Sequence, residues 1–268
     1  MPEPADPGRG VHFVQSLERG FSVIRSFSAE QPALSLAEVA RNSGLTRAAA
    51  RRFLLTLVDL GYARLEGRLF SLTPRVLELG YAYLSSFSLT QVAEPHMEQL
   101  VSELHESCSI SVLDGGDIIY IARIPTARIM TVAISVGTRF PAHATSMGRV
   151  LLAALDDDEL DQYFESAVLV QHAPRTLVDT ESLRAEIARV RRQGWSIVDQ
   201  ELEEGLRSVA VPIRDGSGRV AASANVSSHA SRTPLATVRQ QFLPALLKTA
   251  GQIEADLRIG TNRAPERA

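Results

Sequence analysis

Residues 35–72 predict two short helices with a sharp turn between them and a hairpin after them, and this order restricts the possible folds most. Ser35 and Glu38 predict a capping box at the start of the first helix. Gly44 suits the left-handed backbone of a tight turn, and Thr46 predicts the N-cap of a second helix. In such a pair the second helix can lie in the major groove of DNA.

The hairpin predicted after the second helix has the position of a wing. Its strands are expected at 62–65 and 69–72, with Gly67 in the turn between them. Arginine can fork onto the O6 and N7 atoms of guanine or pair with phosphate. The predicted DNA-binding residues are Ser35, Thr46, Arg47, Ala48, Arg51, Arg52, Arg64 and Arg68, with Arg19 and Arg75 as further phosphate contacts. A row of arginines that only faces solvent is the alternative.

Charge is distributed unevenly along the chain. The whole chain has a net charge of −3, which by itself argues against nucleic acid. Residues 11–88, however, carry nine arginines and six acidic residues, a net charge of +3, whereas residues 1–10 have −1 and the remainder has −5. A basic first part and an acidic second part fit a DNA-binding domain joined to a sensor or assembly domain.

The rest of the chain alternates strand-like and helical segments. A helix at 89–106 precedes strands at 108–113, 118–123 and 130–135, helices at 146–154, 156–164 and 180–193, strands at 195–198, 209–214 and 220–225, and a closing helix at 234–258. Antiparallel strands flanked by helices indicate an α+β sensor-type domain. We expect disordered tails at 1–11 and 259–268, a winged helix-turn-helix domain at 12–73 with a first helix at 14–27, a linker helix at 74–88 opened by Pro74, and an effector-binding domain at 89–258.

Composition argues against several classes of protein. No apolar run approaches the ~20 residues of a membrane helix, and the first residues lack the basic-then-apolar order of a secretory signal. The single cysteine, Cys108, lies in an apolar run. We therefore expect it to be buried, with no internal disulfide and no thiolate cluster for zinc. The chain is expected to be cytoplasmic and to need no membrane, cofactor or metal.

An enzyme is the main rival interpretation. Ser146 and His143 are a candidate nucleophile and base, but they lie three residues apart in one loop and lack an evident third group. The sequence contains no G-x-S-x-G elbow, P-loop, Rossmann glycine pattern or H-E-x-x-H motif. We therefore predict no catalytic residues. A DNA architectural protein is a second rival, although it leaves the acidic second part without a role.

The segment 139–149 is the most suggestive site in the second part. It reads as a loop of small residues that leads into a helix, and a helix start exposes unpaired N–H groups that favour an anion. Structural roles are the alternatives for single residues: Thr145 or Ser146 as a helix cap, His143 as a hydrogen-bonding loop residue, and Asp199 as the partner of an arginine.

Four segments resemble the isocitrate-lyase-regulator (IclR) family of transcription regulators. They are FVQSLERGFSVIRSF, LSLAEVARNSGLTRAAARRFLLTLVDLGYA, HATSMGRVLLA and VDQELEEGLRSVAVPI, in the family's order over about residues 12–258. The resemblance implies an α+β fold with an N-terminal winged helix-turn-helix, a linker helix and a C-terminal GAF-like effector-binding domain. It also implies a homodimer or homotetramer on double-stranded operator DNA, with RNA polymerase as a further partner, acting as repressor or activator.

Within that family, PAHATSMGRVLLA and RIMTVAISVGTRF resemble the branch that controls protocatechuate, 4-hydroxybenzoate and β-ketoadipate catabolism. This implies a small organic acid as effector, with glyoxylate, pyruvate or a sugar acid as the alternative. In acid-sensing members, the amides at the positions of Ser146 and Met147 hold the ligand carboxylate. The predicted effector-binding residues are Met130, Phe140, His143, Thr145, Ser146, Met147, Asp199, Ser208, Asn225 and Ser227, with Ile129, Val132 and Arg139 as further wall candidates.

Overall fold

The computed structural model of the chain describes residues 13–28, 30–79, 89–126 and 134–261. The chain divides into two compact units between residues 85 and 86. We call the first unit the head and the second the body. None of the helices in the described residues is long and apolar enough to cross a membrane.

The head contains the predicted helix pair. Its helices are α1 (Gln15–Ile24), α2 (Leu36–Asn42) and α3 (Arg47–Asp59). Ser35 and Glu38 form the predicted capping box, Thr46 caps α3 by accepting from the Ala49 amide, and Gly44 has a φ of 68° in the turn. The predicted start signals of both helices are therefore confirmed.

A three-stranded sheet completes the head. Its strands are β1 (Ala33–Ser35), β2 (Ala63–Glu66) and β3 (Leu69–Leu72), in the antiparallel order β1-β3-β2. The hairpin of β2 and β3 is the predicted wing, whereas β1 was not predicted because three residues are too short for a periodicity signal. The core of the head includes Val39, Leu54 and Phe70.

One face of α1 is exposed among the described residues. Val23 is fully buried, but Leu17 and Phe21, and Val14 just before the helix, are large apolar side chains exposed to solvent. The helix is amphipathic as predicted: Val23 and Ile24 pack into the core of the head, whereas Leu17 and Phe21 do not. Their exposure needs an explanation beyond folding of the head.

The body is built on a six-stranded antiparallel sheet. Its strands are β4 (Ser107–Asp114), β5 (Asp117–Ile124), β6 (Arg139–Pro141), β7 (Ser196–Asp199), β8 (Leu206–Arg214) and β9 (Val220–His229), in the order β6-β5-β4-β9-β8-β7. The helices are α4 (Leu89–Leu104), α5 (Ser146–Leu152), α6 (Asp157–Ser166), α7 (Thr180–Gln193) and α8 (Leu243–Thr261), the last preceded by a short helix (Leu235–Thr237) and a π-helical turn (Val238–Phe242).

The two faces of the central strands differ in polarity. Successive residues of a strand point to opposite faces. Cys108, Ile110 and Val226 pack with α4 and α8 in one apolar core, and Cys108 is fully buried as predicted. On the other face, beside α5, the alternating positions of β4 and β9 are polar: Ser107, Ser109, Ser111, Ser223, Asn225 and Ser227. This buried polar face is the setting of the candidate site.

Several predicted elements differ from the structure. The predicted strand at 130–135 and most of the linker at 74–88 lie outside the described residues, apart from a 3₁₀ turn at Pro74–Val76 and the helical residues 77–79. Residues 134 and 135 are not in a strand. The closing helix was predicted to end at 258 but continues to Thr261, so residues 259–261 are helical and not part of a tail, and the rest of the tail predicted at 259–268 lies outside the described residues.

Candidate functional site

The exposed surface of the head carries the predicted DNA-binding arginines. Arg47, Arg51 and Arg52 are exposed on α3, and Arg68 is exposed in the hairpin turn. Among the described residues, none of these four has an acidic partner within ion-pair distance. Four cations without local neutralisation leave this surface able to attract phosphate.

The first turn of α3 adds backbone donors to this charge. Thr46 satisfies the Ala49 amide with its side chain at 3.2 Å. The amides of Arg47 and Ala48 lie ahead of any intrahelical acceptor, because the first amides of a helix have none. Ala48 is exposed as predicted, whereas Ala50 is fully buried in the core of the head. The N-terminus of α3 therefore presents amides without an intrahelical acceptor, which suit a phosphate.

Other predicted head residues are already engaged. Ser35 bonds to Glu38 in the capping box. Arg64 pairs with Glu66 at 3.2 Å on an exposed strand, a contact that solvent weakens. Arg75 donates to the Leu60 carbonyl at 2.9 Å and lies 5.3 Å from the ring centre of Tyr62, so its first role is to tie the chain after β3 to the end of α3.

The body contains a small cavity between α5 and the polar face of the sheet. The wall consists of Tyr120, Ile134, Ala144, Thr145, Ser146, Val198, Leu202, Leu206, Ser208, Asn225 and Ser227. It thus includes five of the ten predicted effector-binding residues. The enclosed volume is about 20 Å³, which holds about one water molecule, so a larger ligand would have to displace wall side chains.

Polar groups on the cavity wall are only partly satisfied. Ser146 donates to the Ser208 hydroxyl at 2.9 Å, and Asn225 Nδ2 donates to Ser227 Oγ at 3.0 Å. Asn225 is 4% exposed, yet its Oδ1 has no hydrogen-bond partner in the described part of the chain. A buried acceptor without a donor costs free energy, so this oxygen is suited to a ligand or water that donates to it.

The start of α5 forms one end of the cavity. Thr145 is the N-cap, and its Oγ1 accepts from the Gly148 amide at 3.1 Å, so the capping alternative is realised. Across residues 13–28, 30–79, 89–126 and 134–261, no backbone acceptor outside the helix pairs with the amides of Ser146 and Met147. Thr145 and Ser146 therefore combine a structural role with a place on the wall.

Asp199 lies on the other side of its strand. Val198 lines the cavity, and the next residue in a strand faces away from it. Asp199 pairs with Arg207 at 2.7 Å and with Arg175 at 2.9 Å. Although partial burial opposes ionisation, the two arginines and Gln200 lower the pKa of Asp199. Asp199 therefore has the arginine partner that the sequence analysis gave as the alternative to ligand contact.

The other predicted wall residues occupy neighbouring positions. His143 is buried and its Nε2 lies 3.0 Å from the Val170 carbonyl oxygen. Burial lowers the pKa of His143. Phe140 contacts the edge of Tyr120, and Met147 Sδ accepts from the Ser111 hydroxyl. Met130, Ile129 and Val132 lie outside the described residues.

Arg139 is also away from the cavity wall. It is exposed and pairs with Asp114 and Asp117 at the turn between β4 and β5. These contacts raise the pKa of Arg139, the hydrogen bond to Asp114 having the largest influence.

A buried ion pair holds α5, the helix whose first residues line the cavity. Arg149 on α5 forms a two-pronged contact with Glu201, donates from Nε to the His143 carbonyl at 2.9 Å, and is 1% exposed. Glu201 also accepts from the Leu177 amide. The pair therefore joins α5 to the loop between β7 and β8, and sequence reasoning had not assigned it a role.

Sequence reasoning also missed part of the apolar wall. Tyr120 shares its face with Ile118, two residues earlier, so period-two alternation could have identified it. Burial raises the pKa of Tyr120 to about 12, which keeps its hydroxyl protonated. Leu202 and Leu206 flank the loop after β7, and no local pattern in the sequence marks them as wall residues.

The serine and histidine weighed as a catalytic pair do not contact each other. The Ser146 hydroxyl bonds to Ser208, and His143 Nε2 bonds to Val170. In the residues that the structure describes, no group of three or more His, Cys, Asp or Glu side chains could hold a metal ion.

Comparison with protein families assigns both parts of the chain. The IclR helix-turn-helix domain matches residues 16–67, and the family described as "Bacterial transcriptional regulator IclR C-terminal" matches residues 81–255. The Pca regulon regulatory protein of Pseudomonas putida is 50% identical over 236 residues, which cover 88% of this chain and 81% of that protein.

Solved structures share the same architecture. A transcriptional regulator from a Rhodococcus species is 54% identical with a TM-score of 0.83, and the match covers 92% of this chain and 100% of that one. An IclR homologue from Microbacterium hydrocarbonoxydans, solved in complex with 4-hydroxybenzoate, is 27% identical with a TM-score of 0.81 and coverages of 91% and 99%. The exposed arginines of α3 and the enclosed cavity therefore belong to a regulator rather than an enzyme, and the chain is a member of the IclR family of bacterial transcriptional regulators.

Proposed function

We propose that this regulator controls a catabolic operon in response to a small aromatic acid or a metabolite of the same pathway. The observation that carries this proposal is the unpaired Asn225 Oδ1 in a cavity otherwise lined by hydroxyls and apolar side chains. An aromatic acid offers a flat apolar body with polar groups at its ends, which suits such a wall. The name of the relative from Pseudomonas putida and the 4-hydroxybenzoate complex of the Microbacterium homologue support this choice.

We propose that ligand contacts are made by Thr145, Ser146, Ser208, Asn225 and Ser227, with the amides of Ser146 and Met147 as donors to a carboxylate. Met130, Phe140 and His143 stay in the proposed set through the family resemblance, whereas Asp199 faces away from the cavity and is assigned to its pairs with Arg207 and Arg175. A cavity of about 20 Å³ is too small for an aromatic ring, so uptake requires movement of the wall. Such a ligand shifts the protein toward the open-wall arrangement that binds it better.

Operator binding is proposed for α3 and the hairpin. Thr46, Arg47, Ala48, Arg51 and Arg52 are assigned to the major groove, and Arg64 and Arg68 to the flanking backbone, with Ser35 holding the geometry of α2. The exposed apolar side chains of α1 support a homodimer, in which a second copy covers Leu17 and Phe21. In this mechanism the linker at 74–88 changes the spacing of the two heads when the effector binds.

The DNA assignment is tested by fluorescence anisotropy with the upstream intergenic DNA. The double variant Arg51→Ala/Arg52→Ala should weaken binding about 100-fold, because each base-reading arginine contributes about 1–3 kcal/mol. Arg214→Ala/Arg219→Ala is the control, since it also removes two positive charges from exposed positions, at the turn between β8 and β9 of the body. Wild-type affinity and salt dependence in the double variant would show that α3 is not the reading helix.

The effector assignment is tested by calorimetry with 4-hydroxybenzoate, protocatechuate, β-ketoadipate, pyruvate and glyoxylate. Asn225→Leu, which has nearly the same side-chain volume but neither amide atom, should strongly weaken acid binding while operator affinity is kept, and Ser217→Leu in an exposed turn is the control. Binding of pyruvate or glyoxylate alone would favour the alternative effector class. Retained binding of the preferred acid by Asn225→Leu would contradict the cavity assignment.

A further inference from the structure

Arg123 lies on the same face of the sheet as the cavity. It is the second-last residue of β5 and pairs in register with Ser109 on β4. Ser109 pairs in turn with Asn225 on β9, which is part of the cavity wall. Residues that are directly opposite on neighbouring strands project to the same side. Arg123, Ser109 and Asn225 therefore form one row that leads into the cavity.

Arg123 is a half-buried cation without an acidic partner in the described residues. Its Nη1 donates to Ser109 Oγ at 3.1 Å. Burial lowers the pKa of Arg123, and the groups that oppose this shift are Tyr120 and Cys108 rather than a carboxylate. A half-buried charge without a counter-ion is costly. An anion that reaches this place would remove part of that cost.

The other buried arginines of the body show the contrast. Arg149 is held by Glu201, and Arg207 by Asp199. Both are neutralised by carboxylates of the same chain, so neither is available to an anionic ligand. Among the arginines near the polar face, Arg123 is the one that the described residues leave with a neutral hydroxyl as its partner.

Resting on the proposed acid-sensing function, we propose that Arg123 binds an acidic group of the effector at the β5 end of the cavity. The Ser146 end lies against Ser208 on β8, and the guanidinium of Arg123 lies against Ser109 on β4. With β9 between them, β4 and β8 are about 10 Å apart, since neighbouring strands are ~4.8 Å apart. A ring with polar groups at both ends spans this distance, so the site favours an acid with a second anionic group.

The test is calorimetry on the full chain with three ring probes that differ at one position: benzoate, 4-hydroxybenzoate and terephthalate. Wild-type protein should bind terephthalate about tenfold more tightly than benzoate, because a charge-assisted bond to a partly buried arginine has that order of effect. Arg123→Met should remove this preference and leave benzoate affinity within about twofold. Arg123→Lys, which keeps the charge but not the planar fork, should restore part of it.

Two further variants separate binding from folding. Arg139→Met removes an exposed arginine that pairs with Asp114 and Asp117 away from the cavity wall, and it should leave the preference unchanged. Arg123→Gln keeps a donor for Ser109 and replaces Arg123→Met if that variant fails to fold. The expected result for Arg123→Gln is the same loss of the preference for terephthalate.

The outcomes distinguish the two proposals. Equal weakening of all three probes by Arg123→Met, or no weakening at all, overturns the role of Arg123 and leaves acid sensing intact. Binding of 4-hydroxybenzoate without measurable binding of terephthalate by the wild type does the same. If the wild type binds none of the acids, including those used to test the effector assignment, the proposed function and the Arg123 site are both overturned.

Discussion

The arginines of the head and those of the body are used in opposite ways. Arg51, Arg52 and Arg68 are exposed and have no acidic partner in the described residues, whereas Arg149 and Arg207 are buried and paired. Exposed cations keep their hydration until a polyanion replaces it. Buried cations must be neutralised by the fold itself. The head therefore offers its charge to a partner, and most of the body's buried charge stabilises its own structure.

The largest expected effect comes from breaking the buried pair of the body. Arg149→Met leaves Glu201 buried without its partner, which should lower the free energy of unfolding by about 3–5 kcal/mol. Urea unfolding followed by the fluorescence of Trp195, the single tryptophan, reports on the body. The double variant Arg149→Met/Glu201→Gln should recover part of the loss. A decrease in the free energy of unfolding below about 1 kcal/mol in Arg149→Met would show that the pair contributes little to the stability of the body.

A close backbone contact gives the next largest effect. A Cβ at Gly148 would overlap the carbonyl group of Ala142, so Gly148→Ala should destabilise the body by about 1–3 kcal/mol through overpacking. Gly251→Ala on α8 is the matched control because its Cβ would meet open space. In a helix interior that control should be neutral or stabilising by up to about 1 kcal/mol. Equal effects of the two substitutions in urea unfolding would contradict this account.

Removal of a helix cap in the head should destabilise the protein less than these two changes in the body. Ser35→Ala removes the capping box of α2 and should cost about 0.5–2 kcal/mol. Hydrogen exchange of the peptide that contains α2 measures this as faster exchange of its amides. Ser35→Asp, which can also cap the helix, should restore slow exchange. Unchanged protection in Ser35→Ala would mean that packing alone holds α2 in place.

The smallest predicted effect is a pH dependence of the body. Because burial lowers the pKa of His143, the folded state favours the neutral ring, while the unfolded chain takes up a proton as the pH falls below about 6.5. The free energy of unfolding should therefore decrease as the pH falls from 7.5 to 5.5. His143→Gln should show a smaller decrease over this range in urea unfolding. An identical decrease in the variant would assign the effect to other groups.

Prediction from the sequence succeeded where neighbouring residues decide the structure. The capping box at Ser35, the turn at Gly44 and the cap at Thr46 were confirmed because each depends on residues within one turn of helix. Cys108 is buried as its apolar surroundings predicted.

The cavity wall could be predicted only in part. Thr145, Ser146, Ser208, Asn225 and Ser227 were identified through the family resemblance and lie on the wall. Leu202 and Leu206 were missed because their position depends on how the loop after β7 folds back. A shift of one residue along a strand moves a side chain to the opposite face, which is why Val198 lines the wall and Asp199 does not.

The sequence alone determined the helix-turn-helix, its basic surface and the family, because these are written in local order and exposed charge. Tertiary structure decided which arginines of the body are neutralised by a carboxylate and which can bind an anionic ligand. Whether Arg149 meets Glu201, or Arg123 meets only Ser109, depends on strand register and on contacts between residues far apart in the chain. The arginines at 51 and 52 needed no such information, since an exposed side chain on a helix keeps its charge whatever packs behind it.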